Sequence, residues 1–412
     1  MRFSLTRMVV GLYIYLMGNL LDYLEEYGDV TIHDRPFSDA DALVLSQLCY
    51  CKFDNLVMGD EPVYLKELIT DPDAGNMFAD PKYDVENRTL VARMIRGKRF
   101  HNIRLFRYVN IIDRKTETQF SAITYILPGG TEFVAFRGTD ENMVGWKEDF
   151  NLTYMEEIPG QKYACMYLDE VSKLIKGRFY IGGHSKGGHL AIFSAMHAPE
   201  QLQKRFIRIY CMDGPGFMEH MMSKEGYARI RDRICKIIPQ SSLIGLMQER
   251  DNNYKVIHSS RWGIRQHNLF SWQIIDGEIE TDFLRDGAKF FADTLSKWLL
   301  EIDPESRQKA ADIAYQIMTS CDADNRIDFM SNFMKNSGQI LAALKDMDPD
   351  MAEVMKSLVD SLISEVRRSV TTDIKNGIMT GPYSPPVQEW VDKHVPEILG
   401  WFSRKQNKDE QN

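Results

Sequence analysis

Six cysteines in 412 residues are too few and too scattered for a disulfide framework: Cys49, Cys51, Cys165, Cys211, Cys235 and Cys321. Several lie in apolar segments, the usual setting of a buried thiol, and the set fits a reducing compartment. Cys49-x-Cys51 has no second ligand pair and no nearby histidine, so it makes no zinc site. An excess of positive charge is missing too. With 50 basic against 59 acidic residues the chain carries −9 at pH 7, which argues against general nucleic-acid binding. The apolar stretch from Met8 to Met17 falls short of the ~20 residues that span a bilayer, so no stable membrane span is expected. Arg2 and Arg7 precede it, but no small-residue cleavage site follows. Residues 1–16 are therefore expected to be an upstream extension, with Met17 as the natural start and a cytoplasmic location; a secretory signal is the alternative. Neither GxGxxG nor GxxxxGK[ST] occurs, which removes the common phosphate-binding loops. Asp322-x-Asp324-x-Arg326-x-Asp328 has arginine at the fifth position and no glycine at the sixth, so it is no calcium loop. Internal repeats and low-complexity tracts are absent.

What remains is an ordinary globular composition, 44% hydrophobic and 26% charged. The length suits one large domain with an appendage, or two domains. Residues 17–60 read as helical with turns. Leu20, Leu21, Leu24 and Tyr27 share one face, and Ser38-Asp39-Ala40-Asp41 looks like a helix start. Residues 68–92 read as loop and short helix. Residues 118–127 alternate, Pro128-Gly129-Gly130 turns, and residues 131–136 return, which predicts a hairpin at a sheet edge. Helix and strand then alternate. Helices are expected over 155–176, 188–197 and 224–233, and strands over 178–181, 206–212, 234–238, 254–258 and 270–275. That alternation implies βαβ units and a mostly parallel sheet, with ligands beyond the carboxyl ends of its strands. From about 283 onward no strand is expected. Ile340, Leu341, Leu344 and Met347, then Met351, Val354, Met355, Leu358, Leu362 and Val366, repeat at helical spacing. The expected division is 1–16, then a domain over 17–300, then a helical region over 301–412.

The most informative stretch is Tyr180-Ile181-Gly182-Gly183-His184-Ser185-Lys186-Gly187-Gly188-His189. It holds Gly183-x-Ser185-x-Gly187 between a short apolar strand and an apolar helix. Strand, sharp turn with serine at its tip, then helix is the nucleophile elbow of an α/β-hydrolase. The glycines admit the close approaches such a turn needs, and the helix N-terminus favours developing negative charge. Ser185 is therefore the candidate nucleophile. A serine hydroxyl needs a base, and in this fold the order along the chain is nucleophile, acid, histidine. His267, on a late polar loop, fits best; His258 is the runner-up. His184 and His189 flank the serine too closely. Asp213, directly after the strand over 206–212, is the preferred acid, with Glu249 and Asp251 as alternatives. The oxyanion needs two donors. The backbone N–H of Lys186 is one, and the Arg137-Gly138-Thr139 loop, through its backbone or the Thr139 hydroxyl, is the other. Arg137 is expected to tie that loop to a carboxylate, and Lys186 to be solvated or paired. The bland readings are a turn serine, a turn aspartate and a hydrogen-bonded histidine.

Phe136-Arg137-Gly138-Thr139 and Gly183-His184-Ser185-Lys186-Gly187-Gly188 resemble the oxyanion strand end and elbow of class-three, fungal-type lipases. Members of that family usually carry leucine where Lys186 stands. They place the acid after the strand that here ends at Ile238, where this chain has Gln240, Ser241 and Ser242. A closer resemblance, over about residues 17–300, is to an uncharacterised bacterial family of lipase-like α/β-hydrolases. It rests on Asn19-Leu20-Leu21-Asp22-Tyr23-Leu24, Asp41-Ala42-Leu43-Val44-Leu45, Pro239-Gln240-Ser241-Ser242-Leu243-Ile244-Gly245 and Gln266-His267-Asn268-Leu269-Phe270-Ser271-Trp272. The expected architecture is an α/β-hydrolase fold, a mostly parallel sheet flanked by helices, with a C-terminal all-helical extension. The expected function is a serine hydrolase cleaving an ester, such as a lipid or acyl-glycerol, with no metal or cofactor. A hydrolase-fold scaffold that has lost catalysis, and a thioesterase or peptidase on the same site, are the alternatives.

Overall fold

The computed structural model describes residues 18–79, 83–140, 145, 148, 149, 152, 157–261, 263–285 and 288. The chain divides into two compact units, Met1–Ala288 and Lys289–Asn412. The expected N-terminal extension, the C-terminal helices and Cys321 lie outside the described residues.

Within the first unit, eight strands form one sheet in simple sequence order. They are β1 (Val63–Tyr64), β2 (Arg104–Asp113), β3 (Thr118–Ile126), β4 (Glu132–Phe136), β5 (Phe179–His184), β6 (Phe206–Met212), β7 (Ile234–Pro239) and β8 (Tyr254–Ile257). β1 to β4 pair antiparallel, and β4 to β8 pair parallel. In the parallel half helices return between β4 and β5, β5 and β6, and β6 and β7, while turns join β7 to β8. This is an α/β-hydrolase fold. The hairpin of β3 and β4 is not at the sheet edge: β2 adds outside it and β1 outside that. β3 is an inner strand between β2 and β4, and its side chains are buried along nearly its whole length because both faces of the sheet are covered.

Alternation along each strand feeds two cores. Tyr125, Phe133, Ala135, Tyr210, Met212 and Ile237 join one cluster, with α1 (Leu20–Tyr27), α2 (Asp39–Leu48) and α3 (Asp84–Arg96). Phe120, Val134, Phe136, Ile181, Ile209 and Cys211 join the other, with α4 (Pro159–Leu174) and α5 (Lys186–His197). Asn19 and Ser38 cap α1 and α2 with capping boxes, each closed by an aspartate at the third position. α3 runs 13 residues where a short helix is expected, because Asn87, Leu90, Val91 and Met94 give it a continuous buried face. α4 starts at Pro159, a residue suited to the first helical turn. The helix expected over 224–233 is α6 (Glu225–Ile230) followed by a 3₁₀ turn, Arg231–Arg233.

One strand expectation fails. Residues 270–275 are not a strand of the sheet. Leu269–Ser271 form a 3₁₀ turn, and only Ile274–Ile275 (β9) extends, pairing with Glu278–Ile279 (β10) in a separate ribbon. Local bonding decides it: Asn268 Oδ1 accepts the Phe270 N–H, and Asn268 O accepts the Ser271 N–H. Among the described residues no helix is long and apolar enough to cross a membrane.

Candidate active site

The site lies at the carboxyl ends of the parallel strands, where the backbone ladder ends and polar groups meet solvent. Ser185 follows β5 directly and precedes the first residue of α5. Its φ is +57° and ψ −131°, a conformation that costs an L-residue on the order of 1–3 kcal/mol. The Ser185 N–H is bonded to Met212 O at 2.8 Å, so the strained turn is tied to the end of β6. The glycines on either side have a steric reason. A Cβ on Gly183 or Gly187 would collide with the Phe136 carbonyl, and on Gly183 it would also meet Gly187 C at 2.6 Å. Strand β4 and helix α5 thus pass the elbow at backbone contact.

Asp213 follows β6 with φ +50°, and its N–H bonds Ile237 O at 2.8 Å. Its Oδ2 is 2.6 Å from His267 Nδ1. The carboxylate is buried and the imidazole a quarter exposed. Nδ1–H donates to the carboxylate, which leaves Nε2 as the atom able to accept a proton. The structure therefore brings Asp213 and His267 together. It does not bring Glu249 or Asp251 to the imidazole. Glu249 pairs with Lys236 and accepts the N–H of Asp251 and Asn252, while Asp251 holds Arg231 and the Tyr227 hydroxyl. His258 sits apart with Asp282, at 2.9 Å. No hydrogen bond joins Ser185 Oγ to His267 among the described residues.

The loops that present this pair are fastened to one another. Ser242 Oγ donates to Asp213 Oδ1 at 2.5 Å and accepts the Gly245 N–H at 2.9 Å. Gln266 Oε1 accepts the Ser241 N–H at 2.7 Å, and Gln266 O accepts from Trp272 Nε1 at 2.6 Å. Ser242, just after β7, thus supports Asp213, which follows the neighbouring strand β6.

Sequence reasoning missed the role of His184. Tyr50 Oη is 2.7 Å from His184 Nδ1, and His184 Nε2 is 2.8 Å from His267 O. A carbonyl only accepts, so Nε2–H donates and Nδ1 accepts from Tyr50. Burial holds this imidazole well below its ordinary range, which keeps it neutral. The two imidazole rings lie 4.4 Å apart, so the residue preceding Ser185 carries the His267 backbone. No spacing signal in the sequence links Tyr50, at the end of α2, to this edge. His189 is likewise neutral, pushed down to about 4 by burial, between Gln161 and Pro215 O.

The Arg137-Gly138-Thr139 loop abuts the elbow. A Cβ on Gly138 would meet Ser185 Cβ at 3.0 Å and His184 O at 2.7 Å. Arg137 donates to Asn110 Oδ1 at 3.1 Å and to Asp140 Oδ2 at 3.3 Å. Thr139 Oγ1 is buried with no hydrogen-bond partner of ordinary geometry among the described residues, though Asp149 lies close by. Lys186 opens α5, so its N–H has no acceptor within the helix. Its side chain is buried and ion-paired to Glu148. Among the described residues no group of three or more His, Cys, Asp or Glu could hold a metal ion.

An α/β-hydrolase with an elbow serine and a buried carboxylate–imidazole pair on one sheet edge is the class that this geometry defines. The chain belongs to the Mbeg1-like family, whose model matches residues 94–316, just over half of the sequence. No curated protein matches it. Among solved structures it is similar to M37 lipase, at 14% identity and TM-score 0.33, over 51% of this chain and 69% of that one. It is also similar to a lipase from Rhizopus microsporus var. chinensis, at 15% identity and TM-score 0.30, over 56% and 86%.

Proposed function

We propose that the protein is a serine hydrolase that cleaves an ester through an acyl-enzyme on Ser185. The observation that carries this is the Asp213–His267 pair, bonded at 2.6 Å, on the sheet edge where Ser185 occupies a strained elbow. Ser185 Oγ attacks the acyl carbon while His267 Nε2 takes its proton. Asp213 holds the imidazole in the tautomer with Nδ1–H and offsets the positive charge of the imidazolium. The carbonyl oxygen, now anionic, is met by the Lys186 N–H and the Thr139 hydroxyl or backbone. His267 then protonates the leaving alcohol. Water, deprotonated by the same imidazole, releases the acid. No metal or cofactor takes part in these steps. Lipid and acyl-glycerol esters are the substrates to test first. The free, buried thiols at Cys49, Cys211 and Cys235 favour a cytoplasmic location.

Hydrolysis of p-nitrophenyl acetate and butyrate by wild-type protein and Ser185→Ala tests the reading. Wild-type turnover that disappears in the variant is expected. Equal turnover in both overturns it.

A further inference from the structure

Lys186 stands directly after the candidate nucleophile, and its side chain is 1% exposed. Its Nζ is 2.8 Å from Glu148 Oε2 and donates to Gln119 O at 2.9 Å. The Glu148 side chain is fully buried. Glu148 Oε2 also accepts the Gln119 N–H at 3.1 Å, and Oε1 accepts the Gly160 N–H at 2.8 Å. One carboxylate therefore joins the elbow, strand β3 and the first turn of α4. Asp149 Oδ1 lies farther from the ammonium, at 3.8 Å.

A buried ion pair is weak ground for stability, because desolvation offsets its attraction and an apolar side chain could fill the space. What it supplies is one fixed arrangement. Here that arrangement bears on both oxyanion donors. Lys186 itself offers the first. The second lies on the loop through Thr139, packed on the same junction: a Cβ on Gly145 would collide with Gln119 Oε1 and lie 2.7 Å from Thr139 Cγ2.

We propose that Lys186 and Glu148 are a positioning pair that sets the placement of the two oxyanion donors around Ser185. The inference rests on the serine-hydrolase reading. It predicts an effect on the chemical step, not on substrate capture, because the donors bind charge that develops only in the transition state.

The test compares wild type, Lys186→Met, Glu148→Gln and the double variant. Turnover of p-nitrophenyl butyrate, the rate of fluorophosphonate labelling and the thermal midpoint are measured for each. Each single change is expected to lower kcat about 10–100-fold with KM within about threefold, and to slow labelling in proportion. The double variant, which removes both charges, is expected to fold and to lose no more than the worse single, because the pair acts as a unit. Unchanged kcat and labelling in the folded double variant, with only the midpoint shifted, overturns the inference while wild-type labelling leaves the hydrolase reading standing. A wild type that neither labels nor turns over overturns both.

Discussion

Two buried arginines show how differently the scaffold and the site edge are built. Arg99 binds Asp41 through Nε and NH2, at 2.6 and 2.5 Å, and gives NH1 to the carbonyls of Val30, Thr31 and Arg35. Tyr23 and the Ser38 N–H complete the Asp41 carboxylate. Arg137, beside the elbow, is as deeply buried, yet among the described residues its Nε and Nη1 have no partner. Gln119 Nε2 also has no partner there among the described residues. The same edge holds Ser185 and Asp213 at positive φ. Arg99 and Asp41 thus satisfy each other together with the N-terminal turns, whereas the strand ends hold two residues at positive φ and buried donors without a partner among the described residues. That contrast is expected where one region must stay fixed and the other must meet a reacting molecule.

Variants at the two places should therefore separate activity from stability. Ser185→Ala is expected to lower turnover about 10⁴–10⁶-fold while the thermal midpoint stays within a few degrees. Ester hydrolysis and calorimetry on the same sample check both halves. Asp213→Asn should cost about 10²–10⁴-fold in kcat, because the amide favours the wrong imidazole tautomer. Glu249→Gln and Asp251→Asn should keep most activity; a reversed pattern moves the acid to the later loop. Arg99→Met should do the opposite of Ser185→Ala. It strands the Asp41 carboxylate and should cost about 3–5 kcal/mol in denaturant unfolding, with kcat per folded molecule unchanged.

Acid should weaken the site side through two neutral histidines. The unfolded chain protonates His184 and His189 near the ordinary value of about 6.5. The folded chain holds His189 at about 4 and His184 well below its ordinary range, both by burial. The unfolded state then binds more protons between those limits. Stability is full above about pH 6.5 and falls as pH drops, by about 1.4 kcal/mol per unit for each histidine. Urea unfolding at pH 7 and pH 5 of wild type and His189→Gln measures one share. The smallest effect concerns strain. Ser185→Gly should be about 1 kcal/mol more stable than Ser185→Ala, since glycine accepts the elbow backbone that alanine resists.

Much of the fold was legible. The strand–helix alternation from 178 to 257 carries its own periodicity, and the elbow glycines mark where three backbones touch. Chain order selected Asp213 and His267, 54 residues apart, and the structure joins them. Other features had no local sign. Tyr50 reaches His184 from 134 residues away, and Glu148 reaches Lys186 across 38. Such partners arise from how elements stack, which one face's spacing does not encode. The apolar run from Phe270 read as a strand because β-forming residues fill it, but the Asn268 side chain captured the backbone first. Ser242 was seen only as a missing carboxylate, although its hydroxyl bonds the acid next door.

The most direct measurement is site mapping of a fluorophosphonate adduct on the full chain by intact mass and peptide sequencing. One adduct per molecule is expected, on Ser185, formed in the wild type and absent in Ser185→Ala. No adduct in the wild type, or an adduct on any other residue, would contradict a nucleophile at the elbow.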